Sequence, residues 1–383
     1  MRVPDHIGSW LRDRLIPIWS ERAILPRQAG FAESFTPDFR PDEGGPRSTL
    51  VTARLVYVFS HGHLLSATPQ ALAAAREGYA FLTGMCRDGR SGRFMRRVGL
   101  DGAPLDEVTD LYDLAFVLLA CAWYLRATGE PQALALAENT AQFIESEMRH
   151  PEGGFREDTR GSLPRRQNPH MHLLEACLAL AEATREERWK ERTITLASLM
   201  HDRFRDPETG ALIEFFTEDL SPDPRRGNER EPGHHFEWFW LFGELRRITG
   251  TDAFSGAADR LCDFAMRHGI ERVGALAGAA HETISNDGSI ISASKLLWPQ
   301  TEALKAHLTR FELRPEAAAS ALVSQQLSLI FRYFLDAESG FWHNRLAPDR
   351  KALPVEMPTR VLYHIVMALA EYARLESRLA ALN

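Results

Sequence analysis

The sequence predicts an all-α protein, an (α/α)6 barrel of six inner and six outer helices with long loops and short strands at one end. Two observations carry this. Six apolar helical segments recur at intervals of about sixty residues, each opening on polar or aromatic residues where a core helix should be plain. Between successive members lies a second helical pattern, more charged and more amphipathic, such as ATPQALAAAREGYAFLTGM or PQALALAENTAQFIESEM. The apolar segments are STLVTARLVYVFSHGH, TDLYDLAFVLLACAWYL, NPHMHLLEACLALAEAT, PGHHFEWFWLFGELRRIT, ASKLLWPQTEALKAHL and PTRVLYHIVMALAEYARL. Inner helices wrapped by outer ones would bring the decorated ends together at a pocket.

Pro, Gly, Asn and Asp punctuate these helices. Long connections, HPEGGFREDTRGSLPRRQNP, TEDLSPDPRRGNEREPG and DAESGFWHNRLAPDRKALPVEMP, lie before the third, fourth and sixth apolar segments. Loops of that length are usually functional, so they are placed at the pocket rim, with GFRED, ALIEFFTED and GFWHN as short strands or hairpins. The opposite connections, such as TGE, TREE and TGTDA, are short turns. One end of the barrel is plain and the other elaborate.

A length of 383 residues would accommodate two or three domains. The repeat argues for one catalytic barrel over 1–383, because no helical hairpin buries both its faces without its neighbours. Net charge is −7 and basic residues are scattered, so nucleic acid is not an expected partner. The N-terminal segment carries charge every few residues, unlike a signal peptide, and no window reaches about 18 apolar residues without a charge. A cytoplasmic protein without a membrane partner, monomeric or homodimeric, is expected. Cys86, Cys121, Cys177 and Cys262 have no CxxC spacing and are expected as buried thiols.

The richest constellation is PGHHFEW. His234 shares a helix face with Glu237 and Trp238, whereas His235 turns about 100° away. A histidine beside a carboxylate is poised as a base near neutral pH; a histidine packed at a helix start is the plainer alternative. NPHMHLLEA aligns Asn168 with His172, TRVLYH offers Tyr363 and His364, and ARLVYVFSHGH aligns Arg54, Tyr57 and His61. A buried arginine is costly without a partner, which would be Asp113, Glu302 or an anionic intermediate. The pairs His61/His63 and His170/His172 cannot each chelate one ion, since i and i+2 lie about 200° apart on a helix. No catalytic metal is expected. GxGxxG, GxxxxGK[ST] and GxSxG are missing, which argues against nucleotide and serine hydrolase chemistry and leaves no cofactor to assign. Trp238, Trp240, Trp298, Trp342, Tyr112 and Phe236 crowd the helix starts, and aromatic faces among hydrogen-bonding groups suit a small sugar.

At these residues the chain resembles the N-acylglucosamine 2-epimerase superfamily, and within it the aldose-ketose isomerases (mannose and sulfoquinovose isomerase) and cellobiose 2-epimerases. PGHHFEWFWL is similar to the family's GHxxEWxWL helix, NPHMHLLEA to its N-x-x-M/L-H-x-x-E-A helix, and ARLVYVFS to its R-x-x-x-x-F/Y-S helix; LWPQTEAL and VLYHI match two further signatures. The resemblance implies catalytic His234, His364 and His172, with Arg54, Asn168, Glu237, Trp298, Gln300 and Glu302 in the site; Tyr112 joins them as a substrate contact. It also implies the (α/α)6 barrel and metal-free proton transfer at C2 of a reducing sugar.

The residues suit that chemistry. Removing the C2 proton of an open-chain aldose gives a cis-enediolate, which needs a base and a cation near the oxyanion. His234 or His364 supplies the base, Arg54 the cation, and His172 assists ring opening. Return of the proton to C1 makes a ketose; return to C2 from the opposite face makes an epimer. The expected activity is aldose-ketose isomerisation of the mannose/fructose type, with a 2-epimerase as the alternative. Arg165, Arg166, Arg225, Arg226 and Arg230 in the rim loops leave phosphorylated or sulfonated sugars open. A glycoside hydrolase would instead recruit two of Glu175, Glu237, Glu302 and Asp113, and a non-catalytic scaffold would need none of the histidines.

Overall fold

A helix inside a ring of helices must be apolar on nearly every face, whereas one outside needs only a stripe. The chain satisfies both demands in alternation. The computed structural model describes residues 3–26 and 30–382. Helix α1 runs through Ile7–Trp10, a π turn at Leu11–Leu15, and Ile16–Arg22. It is followed by α2 (Thr49–Ser66), α3 (Pro69–Gly84), α4 (Leu111–Thr128), α5 (Pro131–Phe143) and α6 (Asn168–Thr184). Then come α7 (Glu187–Leu199), α8 (Pro232–Thr249), α9 (Ser255–His268), α10 (Leu297–Leu313), α11 (Ala317–Tyr333) and α12 (Leu362–Ala380).

The even-numbered helices form the inner ring: each packs on the next, and α12 returns to α2. The odd-numbered helices α3 to α11 each cover the inner helix before them. The sixth outer helix is α1, which packs on α12, so the start of the chain covers its end. Helix α4 is long and apolar enough to cross a membrane by composition, yet here its sides are packed into the inner ring. All four cysteines are buried free thiols.

Proline within the first two positions of α3, α5, α6 and α8 supplies a preset φ where no intrahelical donor is needed. The plain end of the barrel turns on single left-handed residues, as at Gly129 and Gly250 (φ 72° and 76°). At the elaborate end, antiparallel strand pairs link each unit to the next. Strand β2 (Arg47–Ser48), which leads into α2, pairs with β3 (Arg97–Val98) of the following loop, which pairs in turn with β4 (Pro104–Asp106). Asp110, leading into α4, bridges Asp158. Strand β5 (Arg165–Arg166) pairs with β6 (Phe215–Phe216), β7 (Glu229–Arg230) with β8 (Thr283–Ser285), which also pairs with β9 (Ile290–Ser292), and β10 (Lys295–Leu296) with β11 (Arg345–Leu346). Strand β12 (Met357–Pro358) closes the circle on β1 (Ser34–Phe35). Of the fragments expected to be extended, ALIEFFTED contains β6, whereas GFRED and GFWHN make only isolated bridges, at Phe155, Asp158 and Trp342.

Trp19 on α1 holds this closure. Its ring lies against Phe35, Phe341 and Trp342, at centroid distances of 5.3, 5.6 and 4.9 Å, and its Nε1 donates to Gly340 O at 3.0 Å. Trp19→Ala is expected to cost about 3–5 kcal/mol, read as a lower midpoint in denaturant unfolding.

Candidate active site

Each inner helix enters the barrel from the strand end in the same register. His170 on α6 takes the amide proton of Phe155 on Nε2 (3.0 Å) and hydrogen-bonds Arg166 O through Nδ1. His235 on α8 does the same with Leu212 N and Glu231 O. Gln300 on α10 repeats it, accepting from Ala280 N and donating to Leu296 O. Two residues further along each helix stand His172, Glu237 and Glu302; the matching residues of α12, α2 and α4 are His364, Arg54 and Phe116. These six form one layer across the barrel. Arg54 lies 4.1 Å from the Phe116 ring, Phe116 4.6 Å from the His172 ring, and His172 Nδ1 3.9 Å from Glu237. Glu237, Glu302 and His364 form a cluster in their turn.

Above this layer opens a cavity of about 480 Å³, the right size for a sugar. Arg54, Tyr112, Asn168, His172, Glu237, His234, Trp298 and His364 line it, with Arg166, Glu231, Asn344, Arg345 and Arg360 towards the mouth. The Trp298 ring is 4.9 Å from that of His234 and 5.7 Å from that of His364, so both histidines face the same indole.

Each histidine is anchored at Nδ1 by a carboxylate: His172 by Glu175 (2.9 Å), His234 by Glu214 (2.9 Å) and His364 by Glu302 (2.7 Å). The carboxylate fixes the ring and leaves Nε2 for chemistry. The electrostatic settings then diverge. Burial opposes charge on His234, but Glu214 and Glu231 outweigh it and push the imidazole up to about 10. Burial also acts on His364, reinforced there by the positive charge of Arg54 and Lys305, and holds it well below the usual histidine range. The fold therefore favours the charged form of His234 and the neutral form of His364. Asn168 Nδ2 lies 3.2 Å from His234 Nε2, while its Oδ1 is buried without a partner; turning the amide over would let Oδ1 accept from the imidazolium.

Arg54 makes no ion pair among the described residues. Its Nη2 donates to Tyr112 OH (2.6 Å) and its Nη1 to Arg360 O (3.3 Å), while Nε is buried without a partner. Neither Asp113 nor Glu302 neutralises it. A buried guanidinium flanked only by aromatic rings and neutral oxygens is a ready site for a developing oxyanion.

The family pattern for N-acylglucosamine 2-epimerase (GlcNAc 2-epimerase) matches residues 30–368. The chain belongs to this family. A Rhizobium meliloti (strain 1021) protein, "Mannose-6-phosphate isomerase", is 31% identical over 378 residues, covering 96% of this chain and 95% of its own. "D-mannose isomerase" of Pseudomonas cannabina pv. alisalensis is 28% identical over 337 residues, 79% of this chain and 77% of its own. Among solved structures, cellobiose 2-epimerase from Bacillus thermoamylovorans B4167 superposes with a TM-score of 0.87 at 20% identity, covering 96% and 98% of the two chains. The protein is a mostly helical (α/α)6 enzyme of the isomerase class.

Seen within the family, the wall differs from expectation at several residues. Gln300 does not touch the cavity: it fills the register position of His170 and His235 and ties a loop amide to the helix. Glu302 is also absent from the wall, being fully buried behind His364. Glu237 does reach the cavity, yet it stands beside His172 rather than pairing with His234, because it lies a full turn deeper on α8. The carboxylate that His234 uses, Glu214, comes from a loop twenty residues upstream, which helix periodicity cannot reveal. Trp238, Trp240, Trp342 and Phe236 are core; only Tyr112 and Trp298 of the expected aromatics line the cavity. Of the rim arginines, Arg165 and Arg230 are buried among backbone carbonyls, Arg226 pairs with Glu229, and Arg166 alone reaches the cavity, held by Glu157. Lys305, unremarked in the sequence, is fully buried with Nζ 2.6 Å from Glu302 Oε2.

Among the described residues, three histidine-glutamate groups have donor atoms close enough for a metal: His172–Glu175–Glu237, Glu214–Glu231–His234 and Glu237–Glu302–His364. In each the histidine nitrogen facing the carboxylates is Nδ1, already engaged in a hydrogen bond. In the third the ammonium of Lys305 already supplies the positive charge. The two HxH pairs diverge: His170 serves a loop amide while His172 faces the cavity, and His61 stacks on Trp123 while His63 bonds Thr68 O. For the hydrolase chemistry considered above, Glu175 is committed to Tyr363 and His172, Glu302 to Lys305, and Asp113 lies off the cavity.

Because the folded protein raises the His234 pKa, the ring's stabilising contribution is complete below the unfolded value of about 6.5 and is lost as pH rises through about 10. Glu214→Gln removes most of that gain. Its stability deficit relative to the parent, measured by denaturant unfolding, is expected to be largest near pH 6 and to shrink by pH 10.

Proposed function

We propose that this protein interconverts an aldose and its 2-ketose, of the mannose and fructose type, through a cis-enediolate. The observation that carries this is the pair of carboxylate-anchored histidines of opposite charge preference facing one indole, beside a guanidinium that lacks an ion pair. His364 Nε2 takes the C2 proton while Arg54 and Tyr112 hold the developing negative charge. The same His364 then returns the proton to C1, giving the ketose. His234 gives a proton to O1 and recovers one from O2 as that oxygen becomes the carbonyl, so the exchange balances without an outside proton. His172 assists opening of the pyranose ring. If His234 instead delivers its proton to C2 from the opposite face, the product is the 2-epimer. We place the reaction in the cytoplasm, on a free small molecule, in a monomer or homodimer.

A phosphorylated hexose is favoured by one feature of the mouth. Arg166 is held by Glu157 and Arg345 by Glu282, but Arg360 has no ion pair among the described residues. A free guanidinium at the rim fits a phosphate on the far carbon of the sugar. A kcat/KM for mannose 6-phosphate at least tenfold above that for mannose is expected, with Arg360→Ala abolishing the preference. Equal values for both sugars in the parent would remove this reading.

The mechanism is tested in heavy water. Solvent deuterium is expected at C1 of the ketose, diluted by direct return of the substrate proton; label at C2 of an epimeric aldose would identify the epimerase outcome. His364→Asn should lower kcat by about 10²–10⁴ without unfolding the protein. Full activity in that variant would refute the enediolate route.

A further inference from the structure

The layer of six residues beneath the cavity has a second layer three residues deeper on each helix: Tyr57, Leu119, Glu175, Trp240, Lys305 and Met367. Only two of these carry charge, and they are of opposite sign. Glu175 supports His172 from below, as the register demands. Lys305 is a fully buried cation: its ammonium lies 2.6 Å from Glu302 Oε2, 3.9 Å from Glu237 Oε1, 3.7 Å from the Trp240 ring centroid and 3.6 Å from Met367 Sδ. Glu302 turns its other oxygen, Oε1, to His364 Nδ1 at 2.7 Å. Lys305, Glu302 and His364 therefore form a line running from the core to the cavity. The corresponding support of His234 consists of Glu214 and Glu231 with no lysine.

We propose that Lys305 is a positioning residue for the base: it holds Glu302 as a carboxylate that accepts the Nδ1 proton of His364, and so keeps a lone pair on Nε2 facing the sugar. The reason is charge balance. Around His364 stand Glu302 and Lys305 from α10, Glu237 and His234 from α8, Glu175 and His172 from α6, and Arg54 from α2. Burial and the charges of Glu237 and Glu175 push the Glu302 carboxyl up, and Lys305 is the neighbouring cation that opposes them. Without Lys305, three buried glutamates keep Arg54 as their one permanent cation. The Glu302–His364 pair then binds one proton more. Either that proton sits on Nε2, giving the imidazolium, or Glu302 takes it and donates to Nδ1, which moves the ring proton to Nε2. Both outcomes remove the lone pair from the substrate side, and both are reversed when the proton is lost at higher pH.

The inference rests on the isomerase reading of the site, and two experiments separate the two. In the first, kcat and KM are followed against pH for the parent, Lys305→Met and Lys305→Arg. For Lys305→Met the acid limb of kcat is expected to move at least one pH unit upward, with kcat about 10-fold or more lower at neutral pH and recovering as pH rises, and KM little changed. Lys305→Arg should restore most of it. An unmoved limb in a folded Lys305→Met protein would overturn the proposal and leave Lys305 as core filling. The second needs no substrate and no variant: nitrogen-15 histidine NMR of the parent should report His364 neutral and protonated at Nδ1 at pH 7. An imidazolium or an Nε2–H tautomer there would overturn the proposal even if Lys305→Met fails to fold. Failure of every sugar to turn over, with the NMR result as expected, would count against the isomerase reading alone.

Discussion

Everything at the centre of this barrel depends on keeping charge neutral where water is excluded. Glu175, Glu237 and Glu302 are buried on neighbouring inner helices, as are Lys305 and Arg54. An isolated buried ion is prohibitively costly, and breaking one partner out of a buried pair typically costs about 3–5 kcal/mol. The glutamates are tolerated because each meets a donor or a cation: Tyr363 and His172 at Glu175, Lys305 and His364 at Glu302, and the more distant Lys305 and His172 at Glu237. Both Glu237 oxygens lack a hydrogen bond, and the residue lines the cavity, so a sugar hydroxyl would complete its environment.

The same requirement gives the site its asymmetry. Two histidines on α8 and α12 face one indole, and the difference between them is made by what stands behind each. Two carboxylates behind His234 favour its charged form; a carboxylate already satisfied by lysine behind His364 does not. Opposite charge preferences thus arise in one cavity from one residue type. The strand pairs that close the ring then matter for chemistry as well as for stability, because β5–β6 and β7–β8 hold the loop that carries Glu214 and Glu231 against α8.

Much of this was legible in the residues. The sixty-residue rhythm of apolar segments, with polar residues at their starts, is a direct record of inner helices that are buried all round and open at one end. It placed Arg54, Tyr112, Asn168, His172, His234, Trp298 and His364 at a common end, where the cavity now has them. The same rhythm concealed the register. Gln300 and Glu302 read as site residues because LWPQTEAL resembles a family signature, yet the position of Gln300 is the one that His170 and His235 use to hold loops. Only the alignment of the helices in space separates that position from its neighbour two residues on.

What the sequence by itself determined is therefore the periodic part: helix count, inner and outer sets, the decorated end and most of the side chains gathered there, all of which follow from patterns local to one helix. The tertiary structure alone decided the partners. Glu214 reaches His234 from a loop, Glu302 on α10 reaches His364 on α12, Arg54 is left without a carboxylate, and α1 closes the ring on α12. The physical reason is that proton affinity and charge depend on distances of 3–4 Å between residues far apart in the chain, and no local pattern encodes those distances.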